Sequence, residues 1–339
     1  MIDQINIFVE QLRVSRQNPV NVSERCKWLG MDIVGLLAFG YHLFKFFGVL
    51  KVIFPAKFEQ HRPTNLFKLM IKTRTQQEKD SHYDLYSLIS DHVDTNTGSP
   101  IQASEIWSEA TFFFPAGGDT TATALSSVFF YLSRNPHCYE KLRKEIRSTF
   151  ETDEEICGGT KLNSCQYLLA CIDEALRMSP PVTGTLWRKP DIQKQRKQPF
   201  IVDGHVIPPG TEVGVSIYTL HHDPQIFSEP WKFRPERWLE TPDASGEADD
   251  KAQMHQAFAA FSVGSRGCAG KAMAYLESRL AIAKVLWHLD FERAPGLLGE
   301  SGGGSTGCKR GTGRKDEFQL HDIFSSAHDG PHLVFRTRT

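Results

Sequence analysis

Apolar positions recur along most of this chain at helical spacing, and only a short central stretch alternates with the period of a strand. Over residues 102–134, Ile106, Phe113, Leu125, Val128, Phe129 and Leu132 supply the apolar faces of what reads as one long helix. Residues 57–74, 77–93, 136–150 and 271–289 also read as helices, and that over 136–150 is amphipathic, with Lys141, Arg143, Lys144 and Arg147 on it. Residues 199–220 alternate apolar and polar between glycines and prolines, which predicts short strands. The apolar run 28–50 is almost long enough to cross a bilayer, but it holds Asp32, His42 and Lys45 and is broken by Gly30, Gly35, Gly40 and Gly48. It reads instead as a buried helix ending in a turn near Phe39-Gly40. The pattern as a whole is that of a mainly α protein with small β-sheets. It forms one domain over 1–339, with loops at 96–100 and 191–198, an insertion at 242–250 and a flexible glycine-rich insertion at 296–316.

Composition narrows the function classes. The 339 residues can bury a large core, and a net charge of −1 argues against a nucleic-acid binder. Seven cysteines without regular spacing suit a reducing compartment rather than a disulfide framework. The start, Met1-Ile-Asp3-Gln-Ile-Asn-Ile-Phe, has the character of neither a signal peptide nor a transmembrane anchor.

The candidate chemistry concentrates at Cys268, within Phe261-Ser-Val-Gly264-Ser-Arg266-Gly-Cys268-Ala-Gly270 and directly before a helix-forming run. Glycines let a backbone approach a flat ligand closely and present N–H donors without bulk. A cysteine at a helix entrance is favoured as thiolate by the dipole and the free amides. A phosphate loop is excluded, since Ser265 stands where the first glycine belongs and Ala272 replaces the metal-binding hydroxyl. A zinc site is excluded because no second cysteine or histidine lies at ligand spacing. What remains is a small buried hydrophobe or a single axial ligand to one metal, as in a haem-thiolate site.

Two further blocks accompany it. Inside the long predicted helix lies Ala116-Gly117-Gly118-Asp119-Thr120-Thr121, where each glycine costs about 1 kcal/mol relative to alanine. Either the missing bulk opens a groove edged by Asp119 and Thr120, an acid and an alcohol suited to relaying protons, or it eases a helix–helix crossing. Pro115 directly before it removes a donor and should kink the helix at a cost of about 3 kcal/mol unless compensated. Downstream, Glu174 and Arg177 stand three apart among apolar neighbours, and Pro235-Glu236-Arg237-Trp238 offers a third charge. Buried charges persist only when paired, so a Glu174–Arg177–Arg237 network is expected.

In this order and at these separations the blocks resemble the cytochrome P-450 monooxygenase family, over residues 20–339 and with a fungal cast. The match falls on Phe261, Gly264, Arg266, Cys268 and Gly270 in the cysteine-ligand loop, on 116–121 in the oxygen-activating helix, on Glu174 with Arg177, and on 235–238. The resemblance implies haem b (iron protoporphyrin IX) held by Cys268. Arg266 and Arg188 would meet the propionates, Ala116 and Gly117 would make room for dioxygen, and Asp119 with Thr120 would deliver protons. It implies insertion of one oxygen atom from O2 into a small apolar substrate of secondary metabolism, with Phe112–Phe114 and Val182–Leu186 lining an apolar pocket. Electrons would come from an NADPH-cytochrome reductase, an acidic partner for Lys141, Arg143, Lys144 and Lys271. It further implies residence at the endoplasmic reticulum surface, with a lipid-dipping loop near residues 49–55. Relatives in this family begin well upstream with an anchor, a sheet and a helix that clamps a propionate, and residues 41–75 look abbreviated. A truncated, catalytically inactive relative or a non-oxidative haem- or ligand-binding module is therefore the alternative expectation.

Overall fold

The computed structural model describes residues 1–40, 70–78, 81–94, 98–190, 199–240, 248–305 and 313–338. Among them seven helices run for eleven residues or more: α1 Ile2–Arg13, α2 Val22–Phe39, α3 Ala103–Phe113, α4 Thr120–Arg134, α5 Pro136–Thr149, α6 Gln166–Met178 and α7 Lys271–His288. The strands are short: β1 Val20–Asn21, β2 Phe200–Val202, β3 His205–Ile207, β4 Leu289–Arg293 and β5 His332–Thr337. β5 lies between β1 and β4, antiparallel to both, in register Val20↔Leu333 and Phe291↔Phe335. β2 and β3 form a separate hairpin. No described helix is long and apolar enough to cross a membrane.

α4 is the axis of the core. Every residue from Thr121 to Leu132 on it is buried, because α2, α5, α6, α7 and the sheet surround it. Phe129 meets the β4–β5 pair edge-on, 5.3 Å from Phe291 and 6.3 Å from Phe335. Its buried hydroxyls are satisfied within the helix: Ser126 donates to the Ala122 carbonyl at 2.7 Å and Ser127 to Ala124 at 2.8 Å. On α6, Leu168, Ile172, Ala175 and Leu176 belong to this same core.

α2 ends at Gly40, whose φ of +69° is the left-handed stop that glycine adopts without strain. The break expected near Phe39-Gly40 is therefore present. α2 also carries the approach to the candidate site. A Cβ on its Gly30 would lie 2.6 Å from the Gly118 carbonyl oxygen, one on Gly117 would meet Val34 Cγ2 at 2.6 Å, and one on Gly118 the Met31 sulfur at 2.9 Å. The glycines thus let α2 and the segment before α4 touch backbone to backbone. Beside this crossing a smaller core gathers Val34, Ala38, Phe39, Met70, Ile71, Ala110 and Phe114, with Phe114 stacked on Phe39 at 5.4 Å.

The single helix expected over 102–134 is interrupted. Residues Phe114–Asp119 form a π-helical turn between α3 and α4, with Pro115 in its first turn. An i→i+5 turn redistributes the carbonyl partners around a residue that has no N–H, so the path stays helical without the expected break. The helix expected over 77–93 shrinks to Leu85–Ser90, since Asp84 accepts the Ser87 N–H and starts the helix late while pairing with buried Arg74 at 2.7 Å. Strand pairing after β3 is reduced to bridges at Arg188↔Val213 and Thr185↔Ser216, and Ile217–His221 is a short helix capped by Ser216. Of the glycine-rich stretch expected to be flexible, Gly296–Glu300 is a 3-10 turn, Gly303 bridges Phe318 and Gly302 packs on Phe130 and Phe318. The expectations for 49–55, 191–198 and most of 57–74 fall outside the described residues.

Substituting Gly30 by alanine must push α2 off the Gly118 carbonyl. Overpacking of this kind costs about 1–3 kcal/mol, to be read as a lower denaturation midpoint with an unchanged slope.

Candidate functional site

The Cys268 loop is an exposed turn held at its neck. Ser262 and Gly264 take positive φ, +57° and +68°, and Gly264–Arg266 closes a 3-10 turn with the Gly267 N–H on the Gly264 carbonyl at 3.0 Å. The Cys268 N–H donates to the Phe261 carbonyl at 2.8 Å, which fastens the two ends of the loop. Phe261 itself is half-buried against Tyr275 of α7, their rings 5.0 Å apart. α7 starts three residues after the cysteine, capped by Gly270, on which a Cβ would come within 3.8 Å of the Cys268 sulfur. The N–H groups of Ala269 and Gly270 donate to no described residue. A solvent-open thiol therefore stands at a helix entrance beside unclaimed amide donors.

The donor set is a single sulfur. No three His, Cys, Asp or Glu residues gather as metal ligands among the described residues, and the other described cysteines are free as well. This suits a group that takes one axial bond from the protein. It does not suit a tetrahedral zinc site.

The Ala116–Thr120 turn lies beside the first turn of α7, where a Cβ on Gly117 would be 4.0 Å from the Met273 methyl. Ala116 and Gly117 are partly exposed, whereas Gly118 is buried on α2. The glycines serve the helix–helix crossing, Gly117 against Val34 and Gly118 against Met31, and Ala116 is left at its edge. Thr120 donates to the Ala116 carbonyl at 2.6 Å, so its hydroxyl is tied to the helix. Burial raises the Asp119 carboxyl above the usual carboxylate range, offset in part by Lys27. One turn on, Thr123 donates to the Asp119 carbonyl and reaches His328 Nδ1 at 3.2 Å.

Arg266 and Arg188 are both exposed, and Arg188 turns back onto the Trp187 carbonyl at 3.1 Å. Of the predicted pocket, Phe112 is exposed, Phe113 and Val182–Leu186 are partly buried and Phe114 belongs to the smaller core; the neighbouring Trp187 is exposed. Two of the cations expected to meet an acidic partner are already engaged, Lys141 with Glu236 at 2.9 Å and Arg143 with Glu140 at 2.8 Å. Lys144 and Lys271 make no ion pair with a described residue.

Glu174, Arg177 and Arg237 come together as a buried network. Arg177 grips Glu174 with Nε and Nη2, both at 2.9 Å, and Arg237 Nε adds a third contact at 3.0 Å. The Arg234 N–H and the Trp238 indole complete five donors on one carboxylate. Burial alone would raise its pKa, but the Arg177 charge and hydrogen bonds, followed by Arg237, bring it below the ordinary value.

Two residues to which sequence reasoning assigns no role matter here. His221, in the stretch His221-His222-Asp223-Pro224 that also resembles the family, is fully buried, with Nδ1 on the Arg177 carbonyl at 3.1 Å and Nε2 on the Ala259 N–H at 2.9 Å. Its place at the end of the short Ile217–His221 helix gives no spacing signal for these contacts. Glu277, on α7, is also fully buried, and neither of its carboxyl oxygens has a hydrogen-bond partner. Burial pushes it up to about 8, so at neutral pH it carries its proton.

The family model described as cytochrome P-450 matches residues 39–297. Cytochrome P-450 monooxygenase AKT7 of Alternaria alternata is 39% identical over 84% of this chain, and 54% of AKT7 is covered. Cytochrome P-450 monooxygenase apf7 of Gibberella fujikuroi is 39% identical over 79% of the chain and 48% of its own length. The match to monooxygenase lcsN of Purpureocillium lilacinum, at 32% identity, covers 82% of lcsN. The chain thus spans about half the length of AKT7 and apf7. A crystal structure of the P-450DA heme domain superposes with a TM-score of 0.72 at 18% identity, over 100% of this chain and 72% of that one.

Two outcomes follow for the charges. Glu174→Gln leaves two buried guanidinium groups short of a counter-charge and should lower stability by about 3–5 kcal/mol in denaturant titration. For Glu277 the folded pKa of about 8 lies above the unfolded 4.5, so the protonated folded state is favoured at low pH and stability falls as pH rises from 4.5 to 8. The loss is at most about 5 kcal/mol, and Glu277→Gln should flatten the profile measured by thermal unfolding against pH.

Proposed function

The chain belongs to the cytochrome P-450 family, and we propose that it is a haem-thiolate monooxygenase that inserts one oxygen atom of O2 into a small apolar substrate of secondary metabolism. The observation that carries the reading is the exposed Cys268 sulfur at the entrance of α7, with the Ala116–Thr120 turn beside that helix's first turn.

Haem b, held through the Cys268 sulfur, would supply O2 binding and thiolate-assisted cleavage of the O–O bond. The chain's own contributions are separable from that chemistry. The Cys268 loop presents its sulfur outward because the Phe261 carbonyl holds the Cys268 amide on the protein side. Unclaimed amides at Ala269 and Gly270 would direct hydrogen bonds toward the sulfur and lower its electron density, which tunes the potential. Arg266 and Arg188, both exposed and able to swing, would neutralise the two propionates through charge-assisted hydrogen bonds.

On the other side, Ala116 and Gly117 would admit a small diatomic beside the helix. Asp119, whose pKa burial raises, would relay the proton to be delivered. The Thr120 hydroxyl, anchored on the Ala116 carbonyl, would orient toward the same opening. Phe112, Trp187 and Val182–Leu186 would give an apolar substrate its surface. Electrons would come from an NADPH-dependent flavoprotein reductase.

The test is the carbon monoxide difference spectrum of the reduced, purified chain beside that of Cys268→Ser. The native chain should show the strongly red-shifted Soret band of a thiolate ligand, and the variant should lose it. A native spectrum of the neutral-ligand type would refute the assignment.

A further inference from the structure

We propose that His221 is a positioning residue for the cysteine loop, holding the loop's entry strand to α6 through both ring nitrogens. The inference rests on the haem-thiolate reading only for its spectroscopic consequence; the mechanical part stands on the geometry alone.

His221 spans two backbone groups of opposite kind. The Arg177 carbonyl can only accept and the Ala259 amide can only donate, so Nδ1 must carry the hydrogen and Nε2 must be bare. The ring is fixed from the sides as well, stacked on Phe258 at 5.3 Å and 16° and edge-on to Phe227 at 5.9 Å. Burial keeps it neutral, pushing its pKa down to about 3, so the Nε2 acceptor persists across the physiological range.

From Ala259 the connection runs directly to the thiol. The Ala259 carbonyl accepts the Ser262 N–H at 2.8 Å, and the Phe261 carbonyl accepts the Cys268 N–H at 2.8 Å. On the other side, Arg177 Nη1 donates to the carbonyl of His221 at 2.8 Å, so ring and backbone of this residue both answer to the Glu174 network. The buried carboxylate, the histidine and the sulfur loop form one hydrogen-bonded series. Among the described residues, its side-chain joint between α6 and the loop is His221.

The two halves of the joint can be cut separately. In His221→Gln the side-chain oxygen reaches the position of Nε2 and keeps the Ala259 bond. In His221→Asn the amide nitrogen reaches only the position of Nδ1 and keeps the Arg177 bond. The expected result is that His221→Asn exchanges the Ala259 and Cys268 amide hydrogens about tenfold faster than the native chain. It should also move the reduced carbon monoxide spectrum from thiolate type toward neutral-ligand type. His221→Gln should retain both native signatures, even where its melting temperature drops as far as that of His221→Asn.

Loss of both signatures in both variants in step with melting temperature, or their retention in both, would overturn the proposal. Nitrogen NMR of the native ring decides the matter without a variant: protonation at Nδ1 supports it and protonation at Nε2 overturns it. If the native chain shows no thiolate band, the haem reading fails, while amide exchange and ring tautomer still decide the role of His221.

Discussion

A carboxylate with no exposed surface is the constraint to which the cysteine loop, α6 and the segment around Trp238 all answer. Taking Glu174 out of water costs several kcal/mol, and two guanidinium groups beside it cost more. The arrangement is tolerable only because every lone pair and most of the N–H groups find partners: five donors on the carboxylate, and the carbonyls of His221, Pro230 and Ser228 for the arginines' remaining edges. Those partners come from residues far apart in sequence, so completing the set fixes their relative places. A network of this kind adds little net stability compared with a greasy core of the same shape. What it supplies is a single admissible arrangement.

The parts of the site that chemistry forces were legible before any coordinates. A cysteine among glycines at a helix entrance, and a Glu-x-x-Arg pair set among apolar residues, each need those residue types at that spacing. Periodicity also found α2, its stop at Gly40, and α5. It failed where a side chain redirected the backbone: Asp84, with its own ion pair to Arg74, caps a helix that the apolar pattern had started eight residues too early. It failed again at Phe114–Asp119, because a π-turn leaves the apolar rhythm on either side almost unchanged. The contacts of His221 and Glu277 were hidden for a different reason. They depend on what surrounds these residues in space, and a histidine closing a short helix or a glutamate on a long one is unremarkable in one dimension.

The glycines before α4 show what the missing bulk of that motif does in this chain. Gly118 is spent on close packing against Gly30 and Met31, and Gly117 against Val34. That packing leaves Ala116 and Thr120 at the margin, with Gly117 close to Met273 in the first turn of α7. Pro115 belongs to the same arrangement, since the wider turn that accommodates its missing donor lies at the place where α2 presses closest.

The six described cysteines divide by their access to water. Cys26, Cys138, Cys165 and Cys171 are buried, and burial raises the pKa of each, so they are poor nucleophiles in the folded chain. Cys157 and Cys268 face solvent. Peroxide or molecular oxygen therefore meets the proposed ligand sulfur of Cys268 early. A sulfenic acid there can still be reduced, but a sulfinic acid is permanent and has lost the soft electron pair. Shelf life, choice of reductant and the redox state of the host compartment will accordingly govern how many molecules in a preparation can work at all, whatever fraction of them is folded.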